Sequence, residues 1–121
     1  MAVTHAAATR TSIADAVLAD IDAGSNALIE LQTSGGSEVA TLTCSATAGV
    51  VSGAVLTFNA ITDDTSATGG TTTKAEIQTS AAATVVLCSV GSGSGDIDLS
   101  STVIGTGDTV SISALTYTAP V

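Results

Sequence analysis

Few side chains in this sequence could take part in a chemical reaction. The chain has two permanent cations, Arg10 and Lys74, and a single imidazole, His5, against eleven Asp and Glu residues. Nucleophile activation, oxyanion stabilisation and phosphate binding all draw on such side chains. No Cys, Ser or acidic residue lies at a motif spacing from His5 that would complete a catalytic group. We therefore expect no catalytic residues, and the sequence indicates that this protein is not an enzyme.

Three groups of aspartates are the other candidates, because their oxygens could bind a metal ion. They are Asp63 with Asp64, Asp96 with Asp98, and Asp108. Calcium needs about six to eight oxygen ligands, and the loop motif that supplies them, with its Gly and terminal Glu, is absent. Aspartate more often stabilises a turn by accepting a hydrogen bond from the backbone two residues on. We interpret these residues as turn acids and expect no metal ion and no other cofactor; a calcium-dependent β-sandwich binding module is an alternative.

The two cysteines, Cys44 and Cys88, fall in two predicted strands. A disulfide could join such strands across a sandwich, whereas a reducing compartment keeps thiols free. We expect two buried free thiols, with the disulfide as the alternative.

The net charge of −9 limits the partners of this chain. Nucleic acid and anionic membranes attract clusters of Lys and Arg, so we expect neither as a partner. The first six residues lack the basic start and apolar run of a secretory signal, and no stretch approaches the roughly 20 apolar residues of a membrane-spanning helix. A chain made and kept in a cytoplasm is the expectation.

The core is expected to be thin, because Phe58 and Tyr117 are the only aromatic residues. A hydrophobic content of 45% nevertheless argues against disorder. Phe58 alternates with Leu56 and should be buried, whereas Tyr117 could be buried or could anchor an interface. A thin core gains stability from burial between copies or on a larger scaffold, so we expect a homo-oligomer.

Residues 1–24 predict an N-terminal arm and one amphipathic helix, which would run over about residues 4–22. Apolar residues recur there at spacings of three and four, with Ile13, Val17 and Ile21 on one side. Gly24 is placed to end the helix in a left-handed conformation.

The start of this helix and the role of Arg10 have two interpretations each. Thr11 or Ser12 could cap a shorter helix. Arg10 falls on the packing face, where a buried unpaired charge is costly, so one interpretation gives it a carboxylate partner. In the other, the helix numbering slips, or the long stem of Arg10 covers apolar surface while its charged end reaches water.

From residue 25 to residue 121 the apolar pattern has a period of two, which predicts strands. About seven are expected, at residues 27–33, 38–44, 55–60, 74–79, 84–90, 97–104 and 109–117. This spacing predicts a mainly β protein, an antiparallel β-sandwich preceded by the helix, within a single compact domain. Residues 62–73 predict a surface loop, and residues 91–95 predict a flexible hairpin.

Motifs along nearly the whole chain resemble those of a family of small virion proteins from tailed bacteriophages. They consist of turns, caps and core positions, and the pair Cys44 and Cys88 departs from the family pattern. The stretches are THAAATRTSIADAV (4–17), TSGGSEVATL (33–42), DTSATGGT (64–71) and GDTVSISALTY (107–117).

This resemblance implies a structural role in the phage particle, most specifically head decoration, or cement. Decoration proteins bind the outer surface of an assembled capsid, bridge neighbouring subunits of the major capsid protein and are often symmetric oligomers. The resemblance therefore implies the major capsid protein as partner and the capsid exterior as location, after assembly in the host cytoplasm. It implies no active-site residues.

We expect the interface with the capsid or with a sister subunit to use the N-terminal helix face, the loop at 62–73 and the last strand. The candidate residues are His5, Arg10, Ile13, Asp63, Asp64 and Tyr117. A tail or fibre subunit is the rival interpretation, since a Thr-, Ser- and Gly-rich β protein suits either place. The number of copies in the particle would separate the two.

Overall fold

The structure, a computed structural model, describes residues 3–93 and 95–120. It contains one helix, α1 (Ala7–Ile21), and short strands that include the expected ones and several others. The strands are β1 (Leu28–Gln32), β2 (Glu38–Cys44), β3 (Gly49–Ser52), β4 (Val55–Phe58), β5 (Ile61–Thr62), β6 (Gly70–Thr71), β7 (Lys74–Gln78), β8 (Thr84–Gly91), β9 (Ile97–Asp98), β10 (Val103–Ile104) and β11 (Thr116–Thr118).

The helix α1 begins after Ala6, whose backbone is extended and whose side chain provides no cap. The alternative start at Thr11 or Ser12 is wrong, because both lie inside the helix, where their hydroxyls donate to carbonyls one turn back. The apolar stripe is as predicted: Ala14 and Ile21 are fully buried, and Val17 and Leu18 pack against the core.

The end of the helix is fastened to the rest of the protein. Asp22 Oδ1 accepts a hydrogen bond of 2.9 Å from the N–H of Ala48, just before β3. Gly24 follows with a φ of +97°, the left-handed conformation expected for it. The helix and the β domain therefore share one core, of which Ile21 is a member.

A six-stranded sheet, in the order β5-β2-β1-β7-β8-β9, forms the larger layer. Its centre is β1, which pairs antiparallel with β2 and β7. Leu31 lies between Ala40 and Ala75, and all three side chains are buried. The predicted alternation of β1 and β2 is confirmed, since one face of each strand is apolar and directed at the core.

The second layer is a three-stranded sheet in the order β11-β4-β3. Its Leu56 and Phe58 are buried, as predicted, and the core lies between this layer and the larger sheet. The predicted fold class is confirmed: the protein is mainly β, with one helix and a sandwich-like arrangement of sheets.

Strand β3 was not predicted. It starts at Gly49, where any Cβ would collide with the carbonyl oxygen of Thr57 on β4. A glycine in a strand lowers its propensity but permits this close approach of two backbones.

The predicted strands at 97–104 and 109–117 are too long. The first is split into β9 and β10 by a turn in which Ser101 Oγ accepts from the N–H of Val103. In the second, Val110 forms an isolated bridge to Asp64, and only β11 at the end is a strand. In the first place a turn made by a serine side chain overrides the apolar alternation.

The hairpin predicted at 91–95 is also wrong, because β8 and β9 run parallel. Gly93 and Gly95 have positive φ, and Asp98 Oδ1 accepts from the N–H of Gly93. The chain thus does not simply reverse between the two strands. Ser94, in the same segment, lies outside the described residues.

The predicted loop at 62–73 is bound closely to the body of the protein. It contains β6, and its Ala67 and Thr72 are buried, the latter donating to the carbonyl of Gln32. Its exposed positions include Asp63 and Thr65.

Cys44 and Cys88 are free thiols, Cys44 buried and Cys88 half-buried. Strands β1 and β7 lie between their strands, so three strand spacings, roughly 14 Å, separate them across the sheet. A disulfide needs Cα atoms within about 7 Å, and the alternative of a bridge is therefore wrong for this fold. Burial, with a smaller effect of the nearby carboxylates of Asp22 and Asp96, raises the pKa of both thiols to about 11.

We predict slow alkylation of both thiols in the native protein at neutral pH, with Cys88 reacting first because it is partly exposed. Cys44 should react only after denaturant is added. Iodoacetamide labelling followed by mass spectrometry measures both. A native molecule joined by a Cys44–Cys88 disulfide after mild oxidation would contradict the strand order.

Candidate interface

Arg10 is the residue that joins the two ends of the described chain. Its Nη2 donates to the carbonyl of Ala119 at 3.0 Å, and its Nε donates to the carbonyl of Pro120 at 3.2 Å. Among residues 3–93 and 95–120, the hydrogen-bond partners of Arg10 are these two main-chain carbonyls and not the carboxylate of the first interpretation. They lie beyond β11, where the backbone leaves the sheet and its carbonyls need other donors.

The arm that precedes the helix is exposed. Residues 3–6 are all exposed, and Val3 has an exposed fraction of 86%. Arg10 fixes the start of the helix beside the end of β11, so the arm leaves the protein at that point. His5 lies in this arm, and Ile13 is half-buried in the second turn of the helix.

Tyr117 lies on β11, directly opposite Leu56 of β4. It is half-buried and lines a groove between β11 and β8. Tyr117 therefore contacts the core on one side and is accessible on the other, and its role as an interface anchor stays a prediction.

Asp64 holds three chain segments together. Its Oδ1 accepts from the N–H of Ser66 at 2.8 Å, and its Oδ2 accepts from the N–H of Thr41 on β2 at 2.8 Å. Its own backbone pairs with that of Val110. Asp63, its neighbour, is exposed.

The six predicted interface residues therefore fall into two groups. One comprises His5 of the arm, Arg10 and Ile13 of α1 and Tyr117 of β11, whereas Asp63 and Asp64 lie near β2. Strands β1 and β7 separate β2 from β8, on which the Tyr117 groove opens. The six residues therefore do not form one continuous surface that a single partner would cover. Their role in an interface stays a prediction.

Asp96 and Asp108 also accept hydrogen bonds from the backbone, but from residues earlier in the chain and not from two residues on. Asp96 Oδ2 accepts from the N–H of Ser89, and Asp108 Oδ2 accepts from the N–H of Gly105. Asp96 and Asp98 are exposed, while Ile97 between them is fully buried. Within residues 3–93 and 95–120, no group of three or more His, Cys, Asp or Glu side chains could hold a metal ion.

A pair of glutamates on the outer face of the large sheet was missed by the sequence analysis. Glu30 of β1 lies directly opposite Glu76 of β7, an arrangement that like charges normally disfavour. Gln32 donates to Glu30 at 2.8 Å, and Gln78 donates to Glu76 at 3.0 Å.

Hydrogen bonds from Thr84 and Gln78 lower the pKa of Glu76. The amide and hydroxyl donors thus offset part of the repulsion between the two carboxylates, and the positive charge of Lys74 adds a smaller effect. The sequence does carry a signal for this arrangement, because Glu30-Leu31-Gln32 and Glu76-Ile77-Gln78 repeat one pattern on two predicted strands.

Comparison of the chain with models of known protein families, with curated proteins and with solved structures gives no match. Among the described residues, no helix combines the length and apolar character needed to cross a bilayer.

We predict that Arg10→Ala lowers the free energy of unfolding by about 1–2 kcal/mol, because two carbonyls lose a charged donor. Urea denaturation followed by circular dichroism measures the change. Lys74→Ala is the matched control, since it removes the other cation from an exposed position and should stay within about 0.5 kcal/mol. Equal losses in the two variants would show that Arg10 acts only through its charge.

A second prediction concerns the neighbouring pair Asp63 and Asp64. Asp64→Ala should cost about 1–3 kcal/mol, since the N–H groups of Thr41 and Ser66 lose their acceptor. Asp63→Ala should change stability by less than about 0.5 kcal/mol. Thermal and urea unfolding of the two variants compares them directly, and a tolerated Asp64→Ala would refute the structural role of this carboxylate.

Proposed function

We propose that this chain is a phage capsid decoration protein, or cement protein. It binds the outer surface of the assembled head and stabilises contacts between subunits of the major capsid protein. The resemblance of its motifs to small virion proteins suggests this role, and the use of its charged side chains supports it.

The observation that carries the proposal is that the reactive groups serve the fold itself. Arg10 binds main-chain carbonyls, while Asp22, Asp64, Asp96 and Asp108 accept from main-chain N–H groups. Side chains held in this way are occupied in maintaining the backbone. What remains for a partner is the surface of a β domain and an exposed arm, which suits a structural subunit better than an enzyme.

The arm at residues 3–6 is the proposed docking element. A segment that is exposed in the free protein gains burial only when a partner covers it, and a total contact of roughly 1,200–2,000 Å² suffices for specific attachment. Because a decoration protein binds the assembled shell and not its separated subunits, attachment raises the stability of the shell by linkage.

The test is the binding of purified protein to phage heads that lack it. A variant without residues 2–6 keeps Arg10 and α1 but loses the carbonyl of Ala6 that accepts from the N–H of Arg10. Circular dichroism and a melting curve check its fold, and we expect its occupancy on the heads to fall at least about tenfold. Gel densitometry of sedimented heads measures occupancy, and calorimetry of the heads measures the stabilisation.

A variant in which residues 2–6 are replaced by a Gly/Ser segment of equal length is the control for length, and it should also fail to bind. Full occupancy without the arm would reject it as the docking element. Failure of the intact protein to bind heads, or a copy number that follows the tail instead of the major capsid protein, would reject the decoration role.

A further inference from the structure

A hydroxyl, a carboxylate and a carboxamide meet on the outer face of the large sheet. Thr84 Oγ1 donates to Glu76 Oε1 at 2.7 Å, and Gln78 Nε2 donates to the same oxygen at 3.0 Å. Gln78 and Thr84 are also partners across the ladder of β7 and β8. These three groups are the nucleophile, the base and the acyl group of an ester-forming reaction.

An irregularity of the ladder produces this arrangement. Ile77 lies opposite Val86, but Gln78 lies opposite Thr84, so Val85 is an extra residue in β8. In a regular ladder Gln78 would face Val85, which has no hydroxyl. Bulges of this kind redirect side chains and are over-represented beside active sites.

The turn that connects the two strands is strained. Ala82 has a φ of +64°, a left-handed conformation that residues other than glycine rarely adopt. The side chain of Thr79 holds the turn, because its hydroxyl accepts from the N–H groups of Ala81 and Ala83. Strained backbone clusters at functional sites, and this turn carries Thr84 to its place opposite Gln78.

Glu76 is in the charged state that a base requires. The hydrogen bond from Thr84, followed by that from Gln78, lowers the pKa of Glu76, so its carboxylate is ionised at neutral pH. A separation of 2.7 Å allows direct transfer of the hydroxyl proton. Because Glu76 Oε1 also contacts Gln78 Nε2, the same oxygen can pass the proton on to that nitrogen.

The side chain of Gln78 is buried, with an exposed fraction of 4%. Among the described residues no donor reaches its Oε1, although buried amide oxygens normally accept a hydrogen bond. An ester carbonyl is a weaker acceptor than an amide carbonyl, so conversion to an ester lowers the cost of the missing bond. Burial also keeps water, the competing nucleophile, away from Cδ.

We propose that Thr84 and Gln78 form an intramolecular ester that joins β8 to β7. The proton of Thr84 Oγ1 passes to Glu76 Oε1 while a lone pair of Oγ1 forms the bond to Gln78 Cδ. The Cδ–Nε2 bond then breaks with its electron pair on Nε2, which takes the proton from Glu76 and leaves as ammonia. One hydroxyl and one carboxamide give one ester and one ammonia, so no oxidant or other reactant is needed.

The ladder gives the two side chains the reach for this bond. Opposite Cβ atoms in an antiparallel pair are about 4.5–5.5 Å apart, and the four bonds from Thr84 Cβ to Gln78 Cβ span about 5 Å. Since no described residue donates to Oε1, the charge that develops there is not stabilised and the reaction is slow. A slow rate suffices, because each molecule reacts once and the ammonia is lost as ammonium.

A cross-link of this kind stabilises a protein with a thin core in any redox compartment. Disulfides persist mainly under oxidising conditions, whereas an ester is not a redox group. The proposal concerns the isolated chain and does not depend on attachment to a capsid.

Mass spectrometry of the intact protein, fresh and after days at raised temperature, tests the proposal. Wild-type protein should become lighter than its sequence mass by one ammonia molecule. Proteolysis within residues 79–83 should leave the two flanking peptides joined. Alkaline hydroxylamine, which cleaves esters but not amides, should separate them and leave a hydroxamate at position 78.

Variants at the three positions identify the roles of the groups. Thr84→Val and Glu76→Gln should each abolish the loss of ammonia, since one lacks the nucleophile and the other the base. Thr84→Ser keeps a hydroxyl and should still react. Thr43→Val is the matched control, because Thr43 lies in the same row as Gln78, with Leu28 between them, and this variant should react as the wild type does. Circular dichroism checks the fold of each variant.

The pair of Glu30 and Gln32 is an internal control. Gln32 Nε2 donates to Glu30 Oε1 at 2.8 Å, as Gln78 does to Glu76. Within residues 3–93 and 95–120, however, no threonine hydroxyl donates to Glu30. Gln32 should therefore keep its amide.

Wild-type protein that keeps its full mass throughout the incubation would overturn the proposal. Loss of ammonia that persists in Thr84→Val, or that maps to an asparagine, would equally reject the ester. Conversion of Gln78 to glutamate with Thr84 unmodified in fresh and incubated protein would show that water, and not the hydroxyl, attacks the amide.

Discussion

The register of β1 with its two neighbours is the constraint on which the rest of the structure depends. Ile29 lies between Leu42 and Ile77, and Leu31 lies between Ala40 and Ala75, so one strand brings together three segments distant in sequence. A shift of one residue would turn these side chains to the other face and expose them. Every other element is attached to this centre, through β2, through β7 or through the core beneath them.

The side chains of this core are small, so neighbouring backbone segments must pack close together. Gly49 allows β3 to approach β4, and Ala14, Ala40 and Ala75 are buried where larger residues stand in many domains. Such a core supplies little apolar area per residue. Hydrogen bonds from the side chains of aspartates and Arg10 to the backbone fix several segments in place. A core with larger apolar side chains could hold such segments by packing alone.

The parts of the fold that follow from local pattern could be predicted from the sequence. The period of the apolar residues located α1, β1, β2, β7 and β8 to within a few residues, because burial of one face determines them. β9 and β10 were merged and β3 was overlooked, because their limits depend on turns and close backbone contacts that the apolar pattern does not record.

The candidate interface was less predictable for the same reason. Arg10 was recognised as unusual from its helix position, but its partners lie at the other end of the chain, and no local pattern connects residue 10 with residues 119 and 120. The groove beside Tyr117 is likewise a product of strand order. It exists because β11 is last in its sheet and β9 covers only the end of β8, which only the topology reveals.

The hydrogen bonds of Arg10 to the carbonyls of Ala119 and Pro120 also affect how the protein responds to a pulling force. A force that draws the helix start away from the last strand would load these two bonds before it reached the ladders of the large sheet. The helix and β11 would then part first, while the six strands stayed paired. Tension along the polypeptide would therefore separate the helix from β11 before it broke the hydrogen bonds of the large sheet.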